Sequence, residues 1–269
     1  MSPSRLALVG FLLLFTHFGG AQQTGTTSPA TASTQGAAVL QKALAALSPT
    51  PITDVTLSGT ARRIAGSDDE SGTVVVKALA GTGTRLDLTL PSGARSEIRN
   101  ISAVPVVGSW SGPDGIAHPI SYHNLLTDPG WAPAFTIASL VSAQNAVITY
   151  VGAETRDGQS VIHVTASQHS PVANDTTGLL QHLAQTDVYL HSGTFLPTSI
   201  TFNIHPDNNA NVDIPVEIDF SSYQAVSGAQ VPLHVQRFLN KSLVLDLQFS
   251  SAILNSGISA DTFTVAAGL

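Results

Sequence analysis

A strict alternation of apolar and polar residues, repeated along most of the chain, constrains its fold more than any other feature. The pattern begins near residue 53 and is clearest in the segments 200–205, 214–220, 231–235 and 243–249. A period of two places every second side chain on the same face of a β-strand, so each strand has one apolar and one mostly polar face. The pattern predicts about ten or eleven strands, roughly five of them between 53 and 119. The sequence therefore predicts an α+β protein built on one large antiparallel sheet, which must curl because of its size.

Three further segments have helical periodicity. In 37–47, leucines recur at positions i, i+4 and i+7, which predicts an amphipathic N-terminal helix. Residues 120–142 have apolar residues at helical spacing, interrupted by proline and glycine, and predict two short helices. A third helix is predicted at 176–185, with Asn174 or Asp175 as its cap. We expect the central helices either to fill the apolar face of the curled sheet or to cover it as a lid.

The N-terminus has the layout of a secretory signal peptide. A basic start precedes the apolar run LALVGFLLLF, and Gly19 and Ala21 are the small residues that a signal peptidase requires. The chain therefore divides into a signal peptide at 1–21, cleaved after Ala21, a flexible leader at 22–36 and a single domain at 37–269. An uncleaved N-terminal anchor is the alternative.

Cysteine content and charge narrow the compartment and the partners. The chain has 0 Cys, which excludes a disulfide framework and a cysteine-ligated metal centre. Because eukaryotic secreted domains of this size more often carry disulfides, we expect a bacterial periplasmic or secreted protein. With 11 Lys and Arg against 18 Asp and Glu, and a net charge of -7, the chain offers no basic surface for a phosphate backbone, so we exclude nucleic acid as a partner. We expect no integral membrane segment after signal cleavage.

The sequence contains none of the common catalytic or nucleotide-binding motifs. It has no GxSxG, no HExxH, no phosphate-binding loop and no GxGxxG. We therefore assign no catalytic residue and no cofactor, and predict that the protein is not an enzyme. A hydrolase whose catalytic residues meet only in space stays open as an alternative, because motif searches detect only residues that are close in sequence.

Two groups of residues have metal-ligand chemistry without the required spacing. His118 and His123 are separated by a Pro-Ile-Ser turn, which favours an exposed loop over a shared metal ion. The spacing of a calcium loop is copied by four residues, Asp207, Asn209, Asn211 and Asp213. However, Val212 and Ile218 stand where that loop needs Gly and a bidentate Glu. We interpret DNNANVD as a polar hairpin connection and predict no metal site.

Several stretches and the order of the predicted elements resemble one family. The stretches are VTLSGTARR, TRLDLTLPSGARSEIRN, GSWSGPDGIAHPI, YVGAETRDGQSVIHV and FLPTSITFNIHP. Together with the order of a helix, hairpins, central helices and further hairpins, they resemble the LolA/LolB-like periplasmic lipoprotein-carrier superfamily. The resemblance implies a half-open β-barrel of about eleven strands with central helices across its mouth. It also implies an apolar ligand, such as an acyl chain, on the concave face.

The strand alternation identifies candidate residues for that ligand. We expect seven of them to share the concave face: Leu57, Val76, Leu88, Phe202, Ile218, Leu233 and Leu245. A one-residue slip in register would place a strand's whole apolar set in water, so Asp87, Asp219 and Asp246 should lie on the opposite face. Three aromatic residues, Trp110, Trp131 and Phe135, are predicted either to form a rim where a ligand enters or to pack in the core under the lid.

Two further expectations follow from this arrangement. Leu233 and Leu245 share a face only if residues of equal parity pair across FLNKS, which favours a three-residue loop or a bulge over a two-residue turn. If a void lies beneath 120–142, the ligand should be mainly apolar, because such a wall offers few groups that can pair with a charge. The sequence thus favours an exported envelope protein that binds a lipid or acyl chain. The alternatives are a non-catalytic module that binds an envelope protein and, less favoured, an exported hydrolase.

Overall fold

The computed structural model describes residues 29–168 and 177–265, with side chains from residue 34 onward. The predicted signal peptide at 1–21 and the predicted helix caps Asn174 and Asp175 lie outside the described residues. Within these ranges the chain forms one antiparallel sheet and a few short helices, which confirms the predicted α+β fold with a curled, open sheet.

The sheet has thirteen strands within the described residues, more than the ten or eleven predicted. Six strands, rather than five, precede residue 120, because the alternation cannot reveal a strand as short as Ala117–Pro119. The strands are β1 (Asp54–Ala65), β2 (Asp68–Leu79), β3 (Gly83–Leu90), β4 (Gly93–Asn100), β5 (Val107–Ser111), β6 (Ala117–Pro119), β7 (Ala146–Arg156), β8 (Gln159–Gln168), β9 (Thr186–His191), β10 (Pro197–Ile204), β11 (Ile214–Val226), β12 (Ala229–Leu239) and β13 (Ser242–Leu254).

The strand order places the two halves of the chain side by side. It runs β6-β5-β4-β3-β2-β1-β13-β12-β11-β10-β9-β8-β7, so β1 pairs with β13 in the middle and β6 and β7 form the two edges. The segment 120–145 must therefore connect one edge of the sheet to the other. We call residues 120–132 of this connection the strap.

The two longer helices, α1 (Pro29–Leu47) and α2 (Pro133–Ser142), pack on the core side of the sheet, which we call the inner face. The chain also forms a short helix, α3 (Leu179–Leu183), and 3-10 turns at Tyr122–Leu125 and Ala260–Phe263. Arg85, on the same face as Asp87, donates to the Thr262 carbonyl, so the last of these turns lies on the opposite, outer face. α1 contacts β7, β8, β12 and α2, and its Leu40, Ala43 and Leu47 are fully buried. Because α1 begins at Pro29, the predicted flexible leader is wrong for residues 29–36, which are helical. No helix in the described part of the chain is long and apolar enough to cross a membrane.

The register places the predicted apolar set on the inner face. Leu57 pairs with Val76, and Phe202 with Val216, and residues that pair directly in antiparallel strands lie on the same face. All seven residues that were expected to share the concave face belong to the hydrophobic core or pack against it. Asp87, Asp219 and Asp246 have the opposite parity and lie on the outer face.

The β12–β13 connection combines a tight turn with a bulge. Leu239 pairs with Ser242, so the turn has only two residues, Asn240 and Lys241, and both have positive φ. The expectation of a three-residue loop is therefore wrong. The predicted bulge is present between Arg237 and Phe238. It shifts the register so that Arg237 pairs with Leu245. Both residues have odd numbers, which is the equal parity that the shared face of Leu233 and Leu245 requires.

Candidate functional site

A cavity of about 840 Å³ lies between α1, α2, the strap and the ends of β3 and β4. We call it the main cavity. Its walls are mostly apolar and include Leu44, Leu47, Ile52, Leu79, Ile101, Val107, Leu125, Leu126, Ala134, Phe135 and Ala138. The cavity lies beneath the 120–142 segment, where a void was one of the two arrangements considered from the sequence.

Where the main cavity opens to solvent, several of the exposed lining residues are apolar, beside polar ones such as Thr50 and Ser139. Ile101 and Tyr122 line the cavity and are 43% and 59% exposed, and Ala138 is exposed on α2. Large apolar side chains that remain in water next to a cavity are energetically unfavourable unless another apolar surface covers them. The entrance is therefore suited to an apolar ligand that passes into the cavity.

A group of charged residues lies on the inner face of the sheet beside the cavity. We call Glu97, Arg99, Asp128 and Arg237 the inner polar cluster. Arg99 Nε donates to Glu97 Oε1 over 2.8 Å, and Arg237 Nη1 lies 3.9 Å from Glu97 Oε2. Burial alone would raise the pKa of Glu97, but the charges of Arg99 and Arg237 hold it below its ordinary value. Glu97 is thus a buried carboxylate kept ionised between two guanidinium groups.

Arg99 also holds the strap against the sheet. Its Nη1 donates to the carbonyl oxygens of Asn124 and Thr127 over 2.8 and 2.9 Å. In the same segment, Asp128 Oδ1 accepts from the Gly130 N–H and from Thr136 Oγ1, while burial raises the pKa of its carboxyl. These bonds fix the strap where it crosses from one sheet edge toward α2. Arg99 and Asp128 also line the main cavity, so they are its polar end.

The described wall of the main cavity has two charged residues, Arg99 and Asp128, and is otherwise uncharged, but the sequence analysis did not predict that the charged face of β4 points inward. In the β3–β4 ladder, Glu97 pairs with Leu86 and Arg99 pairs with Thr84. The charged side chains of β4 therefore lie on the inner face of the sheet. The available signal in the sequence was the alternation Arg95, Glu97, Arg99, in which charges of opposite sign two residues apart can pair with one another. When the register of the strand is unknown, a strand face that carries several charges is predicted to face water.

The ten predicted site residues do not share one site. Phe135 lines the main cavity, and Phe202 borders a second cavity of about 300 Å³. Trp131 is fully buried, with the Arg237 guanidinium 5.3 Å from its ring centre. Trp110 is half-exposed and stacks on His118 at the β5–β6 edge, on the inner face because it pairs with Glu97. The other six, Leu57, Val76, Leu88, Ile218, Leu233 and Leu245, pack in the core between the sheet and the helices.

A Ser-His-Asp arrangement that no motif revealed occurs on the outer face. Ser221 Oγ lies 3.1 Å from His234 Nδ1, and His234 Nε2 lies 2.9 Å from Asp246 Oδ1. The three residues come from neighbouring strands β11, β12 and β13, and none of them lines either of the two cavities. A hydrolase site needs a pocket that holds the substrate beside the nucleophile, so this arrangement gives the hydrolase alternative no support.

The suspected metal groups are separated by the fold. His118 stacks on Trp110, whereas His123 lies edge-on to His205 with ring centres 5.8 Å apart. In the calcium-like loop, Asp207 accepts from Ser121 Oγ and Asn209 accepts from the Asn211 N–H. The Asp207 carboxylate thus joins the loop to the strap, and the Asn209 side chain stabilises the loop itself.

The curled open sheet with helices on its inner face is similar to the fold of several solved structures. A domain described as an outer membrane lipoprotein-sorting protein from Vibrio parahaemolyticus superposes with a TM-score of 0.55 at 13% identity, covering 86% of this chain and 97% of that one. A LolA superfamily protein from Nitrosomonas europaea gives 0.54 at 12% identity, with 86% and 97% covered. A DUF1329 family protein from Desulfovibrio piger gives 0.56 at 10% identity, with 87% and 97% covered. The resemblance to this fold is therefore confirmed.

No family model matches the sequence, and a sequence comparison with curated proteins finds no significant match.

Proposed function

We propose that this protein is a non-enzymatic carrier or sensor of the bacterial envelope that binds a lipid or acyl chain in the main cavity. The observation that carries the proposal is the cavity of about 840 Å³ with mostly apolar walls and exposed apolar residues at its entrance. Its volume is within the range of pockets that enclose small ligands, roughly 300–1,000 Å³. An apolar chain that covers this surface gains about 25 cal/mol for each Å² removed from water.

The inner polar cluster supports a ligand with one polar end. Arg99 and Asp128 border the cavity, while its remaining walls are mostly apolar. A ligand with an apolar chain and a single hydrogen-bonding group would match both surfaces. Export by the predicted signal peptide at 1–21 would place the protein in the periplasm or outside the cell, where such lipids are transferred between membranes.

Binding of an envelope protein at a sheet edge is less well supported. β6 has only three residues and ends at Pro119, which cannot donate to a further strand. β7 is longer, but its register shifts between Tyr150 and Gly152, and Glu154 and Arg156 follow. Bulges and charges are features that protect sheet edges from pairing.

A cavity-filling substitution tests the proposal. Native mass spectrometry of gently purified protein should show an added lipid mass, and a fluorescent long-chain fatty acid should bind and be displaced by unlabelled lipid. Ala134→Phe, which places a ring in the cavity, should weaken probe binding by about tenfold or more. Ala153→Phe on the exposed part of β7 is the matched control and should bind like the unmodified protein. Equal affinity in both variants, or no probe binding at all, would overturn the proposal.

A further inference from the structure

Three side chains from separate elements converge beside the β10–β11 connection. His182 belongs to α3, His205 follows β10, and Asp213 precedes β11. His182 Nε2 lies 2.9 Å and His205 Nε2 lies 3.1 Å from the same atom, Asp213 Oδ1. One ligand atom from each residue lies within 4.8 Å of the other two.

The donor set is that of a zinc site. Two imidazole nitrogens and one carboxylate oxygen are common ligands of Zn²⁺, and a tetrahedral ion with bonds of about 2.1 Å needs ligand atoms roughly 3.4 Å apart. The two nitrogens lie 2.9 and 3.1 Å from Asp213 Oδ1, near this spacing, and the three ligand atoms all lie within 4.8 Å of one another. Two nitrogen donors out of three disfavour Ca²⁺, which prefers oxygen.

The buried histidine is held in place by the strap. The side chain of His205 is 0% exposed, and its Nδ1 has no hydrogen-bond partner among the described residues. Its backbone N–H donates to Asn124 Oδ1, and its carbonyl accepts from Asn124 Nδ2, both over 2.8 Å. The neighbouring His123 also has a buried Nε2 without a partner in the described part of the chain. Of the two ring nitrogens of His205, Nε2 is the one that faces Asp213, so a shared ion would bind through Nε2.

The other two members are accessible to an ion from solvent. His182 and Asp213 have about half-exposed side chains, and His182 also lines the open cavity of about 300 Å³. The other close His-Asp pairs, His163–Asp187 and His234–Asp246, each contain a single imidazole. Only the cluster at Asp213 places two imidazole nitrogens on one carboxylate among the described residues.

We propose that His182, His205 and Asp213 bind one Zn²⁺ ion, with a fourth position open to water. The ion would join α3 to the β10–β11 connection, next to the point where the strap contacts His205. The sequence predicted no metal because Asp213 was considered only with the residues of the calcium-like loop, and its spacing from His182 and His205 matches no standard zinc motif.

Zinc titration of the full chain, without an affinity tag and after treatment with a chelator, tests the site. Isothermal titration calorimetry should show one Zn²⁺ per chain, and Zn²⁺ should raise the melting temperature, because binding to the folded state stabilises it. Co²⁺ in place of Zn²⁺ should give the visible absorption of a tetrahedral site. Ca²⁺ should show neither stoichiometric binding nor an increase in the melting temperature.

Variants of the exposed ligands separate this site from adventitious binding. His182→Ala and Asp213→Asn should keep the circular dichroism spectrum and weaken Zn²⁺ binding more than about tenfold. His234→Ala and Asp246→Asn alter a pair with the same chemistry but one imidazole, and should leave the affinity unchanged. Unchanged affinity in His182→Ala, the absence of stoichiometric binding, or equal losses in the control variants would show that the cluster is a hydrogen-bonded group only, and would overturn the proposal.

Discussion

At the residue scale, burial separates two arginines that make similar ion pairs. Arg99 is 5% exposed and bonds to Glu97 and to two carbonyl oxygens of the strap. Arg62 makes a two-bond contact with Asp69, but its side chain is 51% exposed. An exposed ion pair is screened by water and contributes little, whereas removal of one member of a buried pair leaves an uncompensated charge.

We therefore expect Arg99→Ala to destabilise the protein strongly. The substitution leaves Glu97 with only the more distant Arg237 and leaves the Asn124 and Thr127 carbonyls without this donor, at a cost of about 3–5 kcal/mol. Urea denaturation measures the change in the free energy of unfolding. Arg62→Ala is the matched control and should leave the unfolding midpoint nearly unchanged. Similar shifts in the two variants would contradict a structural role for the inner polar cluster.

At the scale of elements, the contact between β1 and β13 joins the two halves of the sheet. The register shifts between Ser58 and Gly59, and at this point the strands approach closely. A Cβ atom at Gly59 would lie 2.0 Å from the Gln248 carbonyl oxygen, which is far inside van der Waals contact. Gly59 therefore permits the close approach of β1 and β13, the first and last strands along the described chain, which pair in the middle of the sheet.

Gly59→Ala should consequently separate these strands locally and lower the free energy of unfolding by about 3 kcal/mol or more. Hydrogen exchange should increase at the amides of β1 and β13 before it increases at β7 and β8. In Gly112→Ala a Cβ finds its nearest neighbour at 3.5 Å, so this variant should unfold like the unmodified protein. If Gly59→Ala were as stable as the unmodified protein, the contact between β1 and β13 would tolerate a side chain at this position.

At the scale of the whole molecule, the free energy of unfolding should depend on pH through Asp219, whose carboxyl group lies on the outer face of the sheet. Burial and the neighbouring charge of Glu217 raise the pKa of Asp219 from its ordinary 3.8 to about 7. The folded protein therefore binds this proton more tightly than the unfolded chain does. The resulting stabilisation is complete below about pH 4 and is lost as the pH rises toward 7.

Asp219→Asn should remove this part of the pH dependence, because the amide is uncharged like the protonated acid. Between pH 5 and pH 8 the melting temperature of the unmodified protein should fall by more than that of the variant. Groups common to both proteins, including His205, whose pKa is lowered by burial, cancel in the comparison. Parallel pH profiles would show that Asp219 is ionised throughout this range.

The sequence by itself determined most of the strands and, within each of them, which side chains share a face. In β13 and β11 the alternation identified which residues lie together, because adjacent side chains of any extended chain point to opposite faces. The Asp157-Gly158 turn was also predicted from the sequence, because an Asp-Gly pair favours the positive φ that a two-residue hairpin requires. Both residues adopt positive φ in the structure. These features depend on local sterics, which a sequence carries directly.

Only the tertiary structure decided which face of β4 points inward and which distant residues meet. The pairing of Glu97 with Leu86 turned a charged strand face into the inner polar cluster, and the strap covered it. His182 and Asp213 came together because strand order, not sequence spacing, sets their distance. Local preferences are the same for either orientation of an alternating strand, so its orientation follows from the register with its neighbours, which is a property of the whole sheet.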